Sequence, residues 1–287
     1  MLIGVVAADP FPLSGNANLV EVLNHLGIRT GAKLVIDAGD YNSYPGSGQV
    51  VSDLSGSAFN LTLGVDATAE NYDARFDGVA GRQSQAERFT MQIKQVGSNL
   101  YQQHLRLADQ PAPAWVDAIH KDGARFAMAF WIWPRPNANG GMSYSNTLRG
   151  STANVGFDFG TVDGSIIPGN GGKLTFFVSK GDPGGALAAT VTTPAVVPSD
   201  QWVFIAIRVD EAAGTYMMQI NETQYTGSIT YSAPSSATGF AQIVFFASNV
   251  VGADGRLAQA VAWQGATIPA NDDLMNLFQT TRVKFGK

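Results

Sequence analysis

Where one β-strand supplies the acid and nucleophile carboxylates of glycoside cleavage, they share a face at a spacing of two residues. No two carboxylates of this 287-residue chain are two residues apart. Asp66/Glu70 and Asp73/Asp77 fall at four, which in a loop reads as solvated or turn-capping side chains. The histidines, His25, His104 and His120, are far apart and lack metal-ligand spacing. His25 falls on the polar side of a helical pattern and His120 near a helix end, so each reads as a structural or surface residue. No G-x-S-x-G elbow is present, and no glycine run couples to a following helix as a P-loop or dinucleotide site requires. Cysteine is absent, which excludes thiol nucleophiles, Cys-based zinc sites, Fe–S clusters and disulfides. The expectation is a non-enzyme, although spacing says nothing about a carboxylate pair assembled from distant segments.

The elements that would position any site are mostly strands. The chain is 45% hydrophobic but only 14% charged, against about 25% charged for an average soluble domain, and it carries 32 glycines. That composition excludes a disordered tail and argues against a charged helical bundle. The net charge of −5 argues against nonspecific nucleic-acid binding. Turn signals such as Pro45-Gly46-Ser47-Gly48, Asp122-Gly123 and Asp163-Gly164 separate strand candidates at Ala124–Trp133, Val155–Phe159, Lys173–Ser179, Trp202–Val209, Thr215–Ile220, Gln242–Ser248 and Leu257–Trp263. In Trp202–Val209, the set Val203, Ile205, Ile207 and Val209 alternates with Trp202, Phe204, Ala206 and Arg208. Both faces are mostly apolar, so this strand is expected at the centre of a sheet covered on both sides.

Three helices are expected. In the first, Asn16 or Asn18 is the cap, Leu19, Val22, Leu23 and Leu26 recur at helical spacing, and Gly27 ends the run. This helix could pack on the main domain, or Leu19, Leu23 and Leu26 could anchor a partner chain. The second covers Pro113 to His120. The third covers Asn271 to Val283, with Asn271 as cap, Leu274, Leu277 and Phe278 as buried stripe, and Arg282 and Lys284 at its end. The N-terminus is apolar but short, with no basic residue before it, so no signal peptide is expected. The most apolar stretch, Phe240 to Val251, is shorter than the ~20 residues of a membrane span, so no membrane insertion is expected. The organisation reads as an arm and helix over 1–32 and a β domain over 33–287.

Several segments together are similar to a concanavalin A-like (laminin G-type) jelly-roll domain of the kind found in bacteriophage virion proteins. They begin with Leu34-Val35-Ile36-Asp37-Ala38-Gly39-Asp40, Ser43-Tyr44-Pro45-Gly46-Ser47-Gly48-Gln49 and Asp53-Leu54-Ser55-Gly56. Phe76-Asp77-Gly78, the strand Ala124 to Pro134, the hairpin Trp202 to Asp210 followed by Gly214, and Leu257 to Trp263 leading into the last helix complete the set. The resemblance covers roughly 33–286 and implies an all-β jelly-roll β-sandwich. Two departures stand out. The hairpin's second strand runs into Gln219-Ile220-Asn221-Glu222, where the family has a glycine. Ser84 to Gln110 has no family counterpart, and Glu87–Ile93 with Tyr101–Leu107 could form an extra hairpin.

The resemblance also frames the site. Glucanases of this fold carry E-x-D-x-E on one strand, which is absent here. Many relatives bind calcium through clustered loop oxygens. Candidates are Asp158, Asp163, Asn170 and Asp182 in one region and Asn249 and Asp254 in another, with turn formation as the competing role; no cofactor is assigned. Sugar binding by such folds uses an aromatic platform with loop amides. Trp133, Tyr144, Asn137 and Asn139 form the best such patch, while Trp133 could instead close the core edge, and Trp131 and Trp202 read as core. The main expectation is a structural virion subunit (capsid decoration, head-fibre or tail-appendage), assembled in the host cytoplasm and anchored through its N-terminal segment. It would partner other virion proteins and copies of itself, because so little charge suggests a surface buried against neighbours. The alternative is a carbohydrate-binding or receptor-binding module recognising host surface glycan.

Overall fold

The computed structural model describes residues 16–64, 68–71, 73–91, 93–96, 99–102, 105–107, 113–135, 144–145, 155–161, 171–181, 186–237, 244–245 and 255–287. Two antiparallel sheets dominate. The front sheet runs Thr223–Ser228, Thr215–Ile220, Val203–Asp210, Arg125–Pro134, Gly255–Gln264, Arg88–Met91 and Arg75–Asp77, and Ala32–Asp37 shares the Gly255–Gln264 edge with Arg88–Met91. The back sheet runs Leu187–Val196, Lys173–Lys180, Val155–Thr161, Tyr144–Ser145, Val244–Phe245, Leu105–Leu107, Leu61–Leu63 and Val50–Val51. This is a jelly-roll β-sandwich.

Alternation decides which residues fill it. Val203, Ile205, Ile207 and Val209 join Phe126, Met128, Phe130 and Ile132 in the core between the sheets, opposite Phe157, Phe159 and Phe176 of the back sheet. Trp202, Phe204 and Ala206 join Ala127, Ala129 and Trp131 in a second core on the outer face of the front sheet. Helices cover that face: α1 (Leu19–His25), the helix Asn271–Thr281 and the 3-10 turn Arg282–Phe285 that ends it. The two-faced apolar character of Trp202–Val209 is thus satisfied inside the chain. That removes the argument from such strands to a surface buried against neighbours.

The first helix forms for local reasons. Asn18 Oδ1 accepts from Glu21 N and Glu21 Oε2 accepts from Asn18 N, each at 2.9 Å, a reciprocal cap. Gly27 follows in the left-handed region at φ 68°. Leu19 and Leu23 are buried in the second core and Leu26 packs at its margin. Burial against the chain's own sheet withdraws Leu19 and Leu23 from a partner-anchoring role, while Leu26 stays half-buried at the edge. The third helix differs from expectation at its start. Ala270 is the cap, its N–H donates to Asp273 Oδ2 at 2.8 Å, and Asn271 is the first helical residue. Asp273 thus supplies the half of a capping box that reaches back to the cap residue's N–H, while alanine has no side-chain acceptor for the other half.

Asp37 binds these parts together. Its carboxylate accepts from Leu19 N at the start of α1 (2.8 Å), Gly39 N (3.0 Å) and Gln259 Nε2 (3.1 Å), and Lys284 Nζ of the terminal turn lies 3.5 Å away. Asp53 plays a similar part nearby, accepting from Val35 N and Ser55 N through Oδ1 and from Ser55 Oγ through Oδ2. The Leu34–Gly56 segment is therefore a set of turn-closing carboxylates. At the hairpin where the family glycine is missing, Asn221 takes φ 51° in a two-residue turn, and its Oδ1 accepts from Phe204 N at 3.0 Å. Asparagine tolerates the left-handed region, and here it adds a hydrogen bond that glycine lacks. The segment without a counterpart holds three pieces. Arg88–Met91 joins the front sheet, Ile93–Val96 pairs with Asn99–Gln102 as a separate hairpin, and Leu105–Leu107 joins the back sheet.

Candidate functional site

The strand Arg125–Pro134 builds the aromatic site. Its outward residues run Ala127, Ala129, Trp131, Trp133. Ala127 and Ala129 lie in the core beneath the helix layer. Trp131 is buried under Phe285, with ring centroids 4.2 Å apart, and its Nε1 donates to Thr281 Oγ1 at 2.8 Å. One step further along, Trp133 is half-buried and meets Trp202 edge-on, centroids 5.8 Å apart at 89°. Trp133 therefore stands at the rim of the second core, where the helix layer stops.

Beyond the rim the outer face of the front sheet turns polar. Trp133 pairs with Arg256, Arg256 with Thr90, and Thr90 with Arg75 on successive strands. Their chain neighbours Leu257, Phe89 and Met91 point into the core between the sheets, so this row points outward. The Arg256 guanidinium lies over the Trp133 ring, 4.8 Å from its centroid. Thr90 Oγ1 donates to Asp77 Oδ2 at 2.5 Å, and Arg88 Nε lies 3.7 Å from the same oxygen. Burial first, then the charges of Arg88 and Arg135, pull Arg256 below the usual guanidinium value, and Asp77 and Asp200 act in the opposite sense. Arginine stays cationic at neutral pH regardless. The ring of Trp133 already holds a cation on one side, so its first role is to position Arg256.

The other expected site residues are not gathered here. Tyr144 lies in the back sheet, opposite Phe159 and Phe245, whereas Trp133 belongs to the front sheet. Asn137 and Asn139 lie outside the described residues, as do His104, Asp66 and all the calcium candidates except Asp158. Asp158 is buried in the back sheet, opposite Ser145 and Phe177. Among the described residues, no group of three or more His, Cys, Asp or Glu side chains could hold a metal ion. Asp73 and Asp77 are each engaged in local hydrogen bonds. Asp73 accepts from Glu70 N and Gln49 Nε2, and Asp77 serves Thr90 and Arg88. The arginines beside Trp133 are the part of the site that motif reading misses. Their only sequence signal was alternation in short strands.

His120 is a different kind of residue from the surface histidine of His25. Its ring is 0% exposed, with Nε2 3.4 Å from Ala237 O and 3.5 Å from Asp117 Oδ1. Lys121 Nζ holds the same strap through the carbonyls of Ser235 and Ala237. Burial, then Lys121, push the His120 pKa down to about 4, with Asp117 and the Ala237 carbonyl opposing. The folded protein therefore keeps this ring neutral where the unfolded chain, with an ordinary value of 6.5, takes a proton. Stability should be full above pH 6.5 and fall as the pH drops towards about 4, by about 3 kcal/mol over the window. Urea unfolding of the wild type and His120→Gln across this range checks it. Parallel curves for the two proteins would contradict the assignment.

No protein-family model matches the chain, and no curated protein matches it. Solved structures do. The binding domain of botulinum neurotoxin DC in complex with SialylT matches with TM-score 0.55 and 12% identity, over 88% of this chain and 52% of that one. The same binding domain in complex with rat synaptotagmin II gives TM-score 0.57 and 13% identity over 88% and 52%. Domain 4 of AbnA, a GH43 extracellular arabinanase from Geobacillus stearothermophilus, in complex with arabinotriose, gives TM-score 0.50 and 14% identity over 86% and 98%. Identities this low establish a shared β-sandwich fold and nothing finer. The chain spans about half the length of the neurotoxin domains and nearly all of the arabinanase domain.

Proposed function

We propose that this chain is a non-catalytic glycan-binding module. The observation that carries the reading is the match over nearly the whole of a domain that was solved with arabinotriose bound. The neurotoxin match with SialylT supports it less directly, because this chain spans only half of that domain. The rim at Trp133 and Arg256 supplies an aromatic and cationic surface of the kind that recognises sugars. The test is a glycan array probed with the full chain, followed by titration of the hits. Trp133→Ala should weaken binding about tenfold, since an aromatic or cation–π contact is worth ~1 kcal/mol or more. An array without hits, or release of reducing ends from a bound polysaccharide, would count against the module.

The sequence also suggested a structural virion subunit. That reading leaned mainly on the Asp37–Gly56 segment, whose carboxylates close turns and fasten the first helix in the fold. These residues speak for architecture, and the comparisons favour the glycan-binding reading. The two meet in a receptor-binding appendage, where a module of this kind would face the host surface.

A further inference from the structure

The row at the rim has a charge pattern at odds with the rest of the chain. The protein carries a net charge of −5, yet Arg75, Arg88, Arg135 and Arg256 cluster around one end of the front sheet. Among the described residues only Arg88 of these four has an ion-pair partner, Asp77, at 3.7 Å. Asp77 is already shared with the Thr90 hydroxyl. Arg256 is the most constrained of the four. Trp133 lies under its guanidinium, and its Nε is buried without a hydrogen-bond partner among the described residues. Among the described residues these four guanidiniums outnumber the carboxylates that act on them, Asp77 and Asp200, and carry an excess of positive charge. An anion balances it.

We propose that this rim binds the acidic group of a glycan, a carboxylate or a sulfate, with Arg256 as the contacting cation and Trp133 as its positioning residue. The inference rests on the glycan-binding reading and narrows its ligand to acidic sugars. Guanidinium is suited to the task because its planar donor fork matches both oxyanions and its charge does not titrate away. The row from Trp133 to Arg75 spans four strands, about 14 Å at the usual strand spacing. Arg75, exposed at the far end, and Arg256 can therefore meet different groups of one oligosaccharide. Trp133 also limits what neutral sugars gain here, because stacking on its covered face would have to displace Arg256.

The test uses the full chain and matched probes: 3′-sialyllactose against lactose for the carboxylate, and a chondroitin sulfate tetrasaccharide against its desulfated form for the sulfate. At least one acidic probe should bind tenfold or more tightly than its neutral partner, and the arm showing the preference identifies the oxyanion. The preference should shrink as salt is raised. Arg256→Gln should lower acidic-probe affinity about 10- to 100-fold, while a neutral glycan hit from the array changes little. Trp133→Ala should lower the acidic preference and Trp133→Phe should restore most of it, a rescue that a mere loss of folding would not give. Equal affinity for acidic and neutral probes, or a preference untouched by Arg256→Gln, overturns this inference. If the array still yields neutral hits, the module reading survives that result; an empty array together with no binding of the acidic probes overturns both.

Discussion

Asp37→Ala should destabilise the protein by about 3–5 kcal/mol, read as a fall in the urea unfolding midpoint. The size follows from what is left behind. Leu19 N, Gly39 N and the Gln259 amide each lose their acceptor, and Lys284, only 6% exposed, loses its counter-charge. Lys284 keeps a hydrogen bond to Gln83 Oε1, a neutral partner that does not balance its charge. A buried cation without its anion costs far more than the intact pair contributes. Lys284→Met in the Asp37→Ala background should therefore recover part of the loss, because it removes the stranded charge and leaves an apolar stem beside Phe285. The two single changes would then be non-additive, as residues in one network are. An Asp37→Ala protein within about 1 kcal/mol of wild type would mean that the helix layer is not fastened at this point.

Trp131→Ala should cost about 3–5 kcal/mol, the usual range for removing a buried Trp side chain, and lower the melting temperature by roughly 10 °C. Trp131 is 1% exposed and is enclosed by Phe285, Phe278 and Phe204 at centroid distances of 4.2, 5.9 and 5.5 Å. Its removal opens a cavity between the front sheet and the terminal helix that these rings cannot refill without leaving their rotamers. Trp131→Phe should regain most of the stability and lack only the Thr281 hydrogen bond and part of the ring, about 1–2 kcal/mol. Scanning calorimetry distinguishes two outcomes. A single transition displaced downward means that the helix layer and the sandwich unfold together. A new low-temperature transition with the main one unmoved would mean that the second core is a separate appendage, contrary to the packing described.

Much of the architecture was legible because it is written in short-range patterns. The period-two alternation of Trp202–Val209 marked both of its faces, and each face lies in the core that the alternation implies. Asn18, Glu21 and Gly27 bound the first helix through contacts three to five residues apart. Edge strands were harder to see. Leu187–Val196 contains Pro194 and a mostly half-exposed pattern, and Thr223–Ser228 is polar, so neither carries the apolar signature of a central strand. Both are sheet edges, where pairing with one neighbour sets the conformation.

The site was legible only in part, for the same reason. Trp133 stood out as a tryptophan at the end of a strong strand, but what lies on its ring is Arg256, more than a hundred residues away in the chain. Tyr144, close to it in sequence, belongs to the other sheet. By itself the sequence determined the fold class, the faces of the central strands, the ends of the first helix and the absence of thiol chemistry. Only the tertiary structure decided that the outer face is covered by the chain's own helices, that Asp37 meets Lys284, and that Arg256 lies over Trp133 at the end of the sheet where Arg75 and Arg88 also stand. Alternation and capping are set by neighbours along the backbone. A charge cluster assembled across strands depends on sheet order and register, which local spacing does not encode.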